Sequence, residues 1–219
     1  MLNPNATASM TEDMVAVARR EAPQGTTVTG LTNAAAPPAI QGPDDAAACL
    51  PGLFALFDEA VRDGADVIVI GCFDDTGLDE MRRRGGPPVV GLGEAGCRLA
   101  SRIAPRFHVV TTLSVSVPVI EQNIAAMGLS ARCASVRASE VPVLDLGRRV
   151  ADVQAAIDGV LSGDPEAAIV LGCSGMSQIA PQLRAATPAQ LVDPVRAAVA
   201  AARAAVGAAP PGRLAPTDA

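Results

Sequence analysis

Val67-Ile68-Val69-Ile70-Gly71-Cys72-Phe73-Asp74 decides the fold reading. Its apolar run follows Asp63-Gly64-Ala65-Asp66 and stops at a Gly-Cys pair, with no polar alternation inside. That pattern reads as a strand buried on both faces, as in a parallel sheet. The same phrase returns in the second half as Ala168-Ile169-Val170-Leu171-Gly172-Cys173-Ser174-Gly175. A polar segment lies upstream of each copy: Asn3-Pro4-Asn5-Ala6-Thr7 in the first half and Thr111-Thr112-Leu113-Ser114 in the second.

Pro88-Val89-Val90-Gly91 and Phe107-His108-Val109-Val110 read as further buried strands. Thr27-Val28-Thr29-Gly30 and Val141-Pro142-Val143-Leu144 are weaker candidates. Helical patterns separate them over 47–62, 94–103, 119–127, 149–161 and 194–206. Alternating strands and helices give an α/β fold. The repeat divides it into two pseudo-symmetric lobes, each a parallel sheet flanked by helices, with the active site in the cleft between them. The expected division is 1–95 with 190–206 in the first lobe and 96–189 in the second. The Pro-rich stretch 207–219 reads as a disordered tail. Open α/β sheets bind ligands at the carboxyl ends of their strands, where both Gly-Cys pairs fall.

Composition removes several chemistries. The 219 residues carry a net charge of −6, which leaves no basic footprint for nucleic acid. No apolar run has the ~20 residues of a membrane span, and the N-terminus lacks a signal peptide's basic and apolar regions. A soluble cytoplasmic protein with a small-molecule substrate is expected. The sequence contains no Lys, which excludes an internal pyridoxal Schiff base. A single His excludes multi-His metal centres, so neither cofactor nor metal is expected. The five cysteines form no CxxC pair and are odd in number, which fits free thiols better than a disulfide scaffold.

Two thiols on opposite faces of a carbon can racemise it without a cofactor: one removes a proton as thiolate while the other returns one as thiol. Cys72 and Cys173 are the candidates. A turn into a helix after each would lower its pKa through the peptide dipoles. The N–H groups of Phe73, Asp74, Ser174 and Gly175 are placed to hydrogen-bond a developing enolate oxygen. Cys49 and Cys97 read as helix core residues, and Cys133 as a strand residue.

At these residues the chain resembles the hydantoin racemase branch of the Asp/Glu/hydantoin racemase superfamily. The resemblance runs from residue 3 to about 206. Its motifs are Asn3-Pro-Asn-Ala-Thr7-Ala-Ser-Met-Thr11, Gly71-Cys-Phe-Asp-Asp-Thr-Gly-Leu-Asp79, Pro88-Val-Val-Gly-Leu-Gly-Glu94-Ala95, Val109-Val-Thr-Thr-Leu113 and Val170-Leu-Gly-Cys-Ser-Gly-Met176. It implies two lobes around the substrate, catalytic Cys72 and Cys173, no cofactor, and a homo-oligomer. It also implies substrate contacts from Asn3, Thr111 and Thr112. Only Met1 and Leu2 precede Asn3, so the first strand is expected to be shortened. Glutamate and aspartate racemases of this fold usually carry Asp-Ser-Gly, Cys-Asn-Thr and Cys-Thr-His motifs. Here Asn3-Pro4-Asn5, Cys72-Phe73-Asp74 and Cys173-Ser174-Gly175 stand instead, which suits a cyclic ureide such as a 5-substituted hydantoin or allantoin. The alternatives are a superfamily decarboxylase, a cis–trans isomerase, an amino-acid racemase, or a ligand-binding protein without turnover.

Other signals are assigned structural roles. Gly91-Leu92-Gly93-Glu94-Ala95-Gly96 fits a dinucleotide fingerprint, but Glu94 would face the pyrophosphate and no acidic residue follows between Cys97 and Ile120. His108 lies at the strand end opposite the expected site. Asp74 and Asp75 could be paired acids but read as a solvated turn or helix cap, Arg82-Arg83-Arg84 reads as a helix end, and Asp193 as a cap ahead of Pro194.

Overall fold

The structure is a computed structural model and describes residues 1–208. The first sheet holds β1 (Leu2–Asn3), β2 (Leu31–Thr32), β3 (Ile68–Ile70) and β4 (Val89–Gly91), in the order β2-β1-β3-β4. The second holds β5 (Phe107–Thr111), β6 (Cys133–Ala138), β7 (Ala168–Leu171) and β8 (Leu191–Val192), in the order β6-β5-β7-β8. Every pairing is parallel, and the two sheets have the same spatial order. The chain is a two-lobed α/β fold. The helices are α1 (Ala8–Glu21), α2 (Pro43–Arg62), α3 (Leu78–Arg84), α4 (Leu92–Ile103), α5 (Val117–Ala126), α6 (Val150–Leu161), α7 (Ala180–Ala186) and α8 (Pro194–Ala208).

The unbroken apolar runs follow from the layers. Side chains alternate across a strand. Ile68 and Ile70 of β3 enter a core with Leu53 and Phe57 of α2, while Val69 enters a core on the other face. In β7, Ile169 and Leu171 join Ile157 of α6, while Ala168 and Val170 face the same core as Val69. That shared core also takes Val90, Phe107 and Val109, with Leu92 and Ala100 of α4 and Val195 and Ala198 of α8. α4 packs on β4, β5, β7 and β8, and α8 packs on α4, α1, β3 and β4. The lobes are therefore joined through one continuous apolar layer.

Both sheets reverse direction of winding between their two central strands, β1/β3 and β5/β7. The chain leaves β3 through Gly71, whose N–H donates to Leu2 O at 2.7 Å, and leaves β7 through Gly172, whose N–H donates to Val110 O at 2.8 Å. A side chain would be crowded at both positions, most firmly at Gly172, where the neighbours are strand atoms. A Cβ on Gly71 would lie 2.7 Å from Met14 Cε, and one on Gly172 would lie 2.9 Å from Thr111 Cβ.

Several expectations need correction. Thr27–Gly30 is not a strand; the pairing is with Leu31 and Thr32, opposite Leu2 and Asn3. Gly30 instead lies against α1, where a Cβ would meet Thr11 and Val15. Val141–Leu144 is not a strand either: a 3₁₀ turn spans Val143–Arg148, started by Pro142. The strand of that region is β6, an edge whose largely half-buried residues obscured its pattern. Leu191–Val192 pairs with β7, so the segment from 190 begins in the second sheet and only α8 returns to the first lobe. Gly207 and Ala208 belong to α8 rather than to a tail, and 209–219 lie outside the described residues. Helices α1 and α7 had no expectation from the sequence. No helix among the described residues is long and apolar enough to cross a membrane.

Gly172→Ala is expected to lower stability by about 1–3 kcal/mol through overpacking against Thr111. Thermal unfolding measures it, and a midpoint equal to that of the parent would contradict the close approach.

Candidate active site

The crevice at the carboxyl ends of β1, β3, β5 and β7 is lined by Cys72, Phe73, Asp74, Thr111, Thr112, Cys173 and Ser174 from the expected set. Asn5, Met10, Ile40, Gly71, Ser116, Val143 and Gly172 complete the wall. Its free volume is about 30 Å³, room for roughly one water. A larger groove of about 600 Å³ opens at the opposite ends of β1 and β3, where among the described residues Asp63, Asp66 and Arg203 are the ionisable side chains and no thiol is present. Chemistry rather than size therefore selects the smaller crevice.

Asn3 does not line it. The side chain is fully buried, and its Nδ2 donates to Asn5 Oδ1 (3.0 Å), Thr7 O (3.1 Å) and Thr11 Oγ1 (2.9 Å). Asn3 thus builds the turn from β1 into α1, and the neighbouring Asn5 reaches the crevice in its place. The strand ends at Asn3, which turns its side chain inward; the last Asn of the Asn-Pro-Asn motif is the one beyond the sheet. Gly175 does not line the crevice either. It stands beside Leu146, with the Cys173 sulfur 3.7 Å from where its Cβ would be. Phe73 contributes to the wall while its ring sits in the shared core. The Thr111 hydroxyl is committed to Gly172 O at 3.0 Å, so it ties the two central strands of the second sheet together.

The thiols are less acidic than the turn geometry alone predicts. Burial pushes Cys173 up to about 11, against hydrogen bonding from the N–H of Gly175; the Asp74 charge adds to the rise and the Met176 N–H opposes it. Cys72 is raised well above the ordinary range, by burial first and the Asp74 charge second. The Asp74 N–H and the Thr76 hydroxyl, 3.9 Å from the sulfur, act in the opposite direction. Neither thiol sits at an α-helix N-terminus: Cys173 precedes a 3₁₀ turn over Ser174–Ser177, and α3 starts only at Leu78. The dipole contribution is therefore small. Three of the N–H groups after the cysteines are aimed at sulfur, where they stabilise thiolate directly.

The Cys72 turn is pinned by residues whose role the sequence did not reveal. Asp75, at φ 50°, accepts the N–H groups of Gly93 (2.9 Å) and Glu94 (2.7 Å), capping α4. It is neither solvated nor a cap of its own helix. Burial raises its carboxyl to about 7, against those two hydrogen bonds. The carboxylate occupies the place a phosphate would take in a dinucleotide fold. A Cβ on Gly91 would collide with it, and one on Gly93 with Phe73 O. The G-x-G-x-x-G pattern is thus used internally. Asn123 of α5 donates to Asp74 O at 2.9 Å, a tie from the second lobe to the first. Asp193 caps α8 through Val195 N (2.9 Å) and accepts the Ser177 hydroxyl (2.7 Å), which steadies the turn after Cys173. His108 is buried at the far end of β5, with Nδ1 2.7 Å from Ser135 Oγ. Arg82, Arg83 and Arg84 end α3 and pair with Glu94, Glu80 and Asp58. Cys49 and Cys97 are buried helix residues, and Cys133 begins β6.

The sequence profile of the Asp/Glu/hydantoin racemase family matches residues 1–202. A hydantoin racemase of Rhizobium meliloti is 38% identical over 215 residues, covering 95% of this chain and 88% of that protein. Among solved structures, an allantoin racemase from Klebsiella pneumoniae superposes with a TM-score of 0.89 at 33% identity, covering 94% of this chain and 86% of that one. An allantoin racemase from Pseudomonas fluorescens gives 0.84 at 32% identity, covering 94% and 89%.

Asp75→Ala should cost about 1–3 kcal/mol of stability, because two N–H groups at the start of α4 lose their acceptor. Urea unfolding measures it. An unchanged midpoint would show that the cap is not needed.

Proposed function

The chain belongs to the Asp/Glu/hydantoin racemase family, and we propose that it racemises 5-substituted hydantoins or a related cyclic ureide such as allantoin. In this reading it is a cofactor-independent isomerase, acting in the cytoplasm as a homo-oligomer. The observation that carries the mechanism is the equivalent position of two Gly-Cys turns, one from each sheet, on the wall of one crevice. The family relatives named above support the substrate class.

The chemistry needs one thiolate and one thiol. The thiolate takes the C5 proton, and the electron pair left behind delocalises into the adjacent ring carbonyl. The thiol on the opposite face then gives its proton to C5 and becomes thiolate. The ring has changed hand and the two sulfurs have exchanged protonation states. Asn5, Thr112, Ser116 and Ser174 supply uncharged polar groups for the ring amides and the developing oxyanion. Two peptide N–H groups, of Gly175 and Met176, favour thiolate at Cys173, and one, of Asp74, favours it at Cys72. A ring with two carbonyls exceeds the free volume of about 30 Å³, so the crevice walls part to admit it.

Incubation of one hydantoin enantiomer in D2O should show loss of optical rotation together with deuterium at C5. No loss above the buffer rate, for hydantoins and for allantoin, would overturn the reading. Cys72→Ser and Cys173→Ser should each lower kcat by at least about 10²-fold, the usual contribution of a positioned acid or base. An active Cys173→Ser enzyme would contradict the two-thiol scheme. Because burial pushes the Cys173 thiol up to about 11, its thiolate fraction grows as pH rises toward that value. The initial-rate kcat/KM is therefore expected to climb from pH 7 to 9, approaching tenfold per unit; a flat profile would contradict thiolate as the base.

A further inference from the structure

We infer that Asp74 selects the charge of the substituent at C5, favouring one that carries N–H donors, a cation above all, and rejecting a carboxylate. This rests on the reading of the crevice as a racemase site and names the substrate class within it. Asp74 lies on the crevice wall with both thiols, and among the described residues it is, apart from them, the only ionisable side chain there. No Arg lines the crevice, the chain has no Lys, and the single His is at the other end of β5. Among the described residues the Asp74 carboxylate accepts no hydrogen bond and forms no ion pair. Its neighbour Asp75 is turned away and spent on α4. The Asp74 backbone is fixed, with its carbonyl held by Asn123 and its N–H directed at Cys72.

A half-buried carboxylate without a partner carries a desolvation cost, and burial accordingly raises its carboxyl to about 6. It is ionised at neutral pH, and its charge also disfavours both thiolates. A ligand that brings an ammonium, guanidinium, ureido or amide group beside it removes both penalties at once. Pairing satisfies Asp74 and makes the neighbouring thiolate easier to form. A second carboxylate would add like-charge repulsion. The same crevice offers no cation to hold the carboxylate of a free acidic amino acid.

The test uses three 5-substituted hydantoins of matched length: 4-aminobutyl, pentyl and 4-carboxybutyl. Polarimetry gives kcat/KM, and calorimetry gives Kd independently of turnover. The expected order is cation, then neutral, then anion, each step at least about tenfold, in Kd as well as kcat/KM. Asp74→Asn and, as a second variant, Asp74→Ser should compress the spread to about threefold. Equal Kd values for the three compounds in the parent, or an unchanged spread in both folded variants, would overturn the inference. If the order holds in Kd while none of the compounds is racemised, the charge selection stands and the racemase reading fails. If all three are racemised at similar kcat/KM and bind alike, the racemase reading stands and the charge selection fails.

Discussion

The structure depends on two glycines that let the chain leave a buried strand against its neighbour. Gly71 and Gly172 each donate their N–H to the adjacent central strand; a Cβ on Gly172 would press on Thr111 and Val109 of that strand, and one on Gly71 on the Met14 side chain of α1. The next residue in both cases is a cysteine. Because the strand order reverses between those two strands in each sheet, the crevice of an open α/β sheet forms there. The backbone constraint and the placement of a thiol are thus one feature, repeated once in each lobe.

The two copies must also be held at a fixed separation. The shared apolar layer does most of this, since residues of both sheets and of α4 and α8 pack into it. Polar ties refine it. Asp75 joins the Cys72 turn to the start of α4, Asn123 reaches from α5 to the Asp74 carbonyl, and Asp193 joins the turn after Cys173 to α8. Each tie pairs a buried or half-buried polar group that would otherwise carry a desolvation cost.

Burial sets the electrostatics of the crevice. It makes both thiols weak acids, partly offset by peptide N–H groups aimed at sulfur. A strongly acidic thiol would be a poor base toward carbon, so high pKa values leave fewer thiolates but more basic ones. Asp74 works against thiolate formation, and nothing else on the crevice wall neutralises it.

Much of this was legible in the residues. The runs at 68–70, 107–111 and 168–171 announced central strands, because burial on both faces removes polar alternation, and their repetition announced two lobes. The weaker runs misled: strands β2 and β6 are edges whose position is decided by what they pair with, not by their own propensity. Asn3 and Asn5 could not be told apart by type; only the point where β1 ends sends one inward and the other to the crevice. The G-x-G-x-x-G run looked the same whether its helix start met a phosphate or a carboxylate, and only the fold brought Asp75 there. By itself the sequence determined that two thiols follow two buried strands and that the chain carries no Lys and one His, since residue type and strand periodicity are local properties. That those thiols share one crevice with a single unpaired carboxylate was decided by tertiary structure, because proximity and desolvation arise only when distant segments pack together.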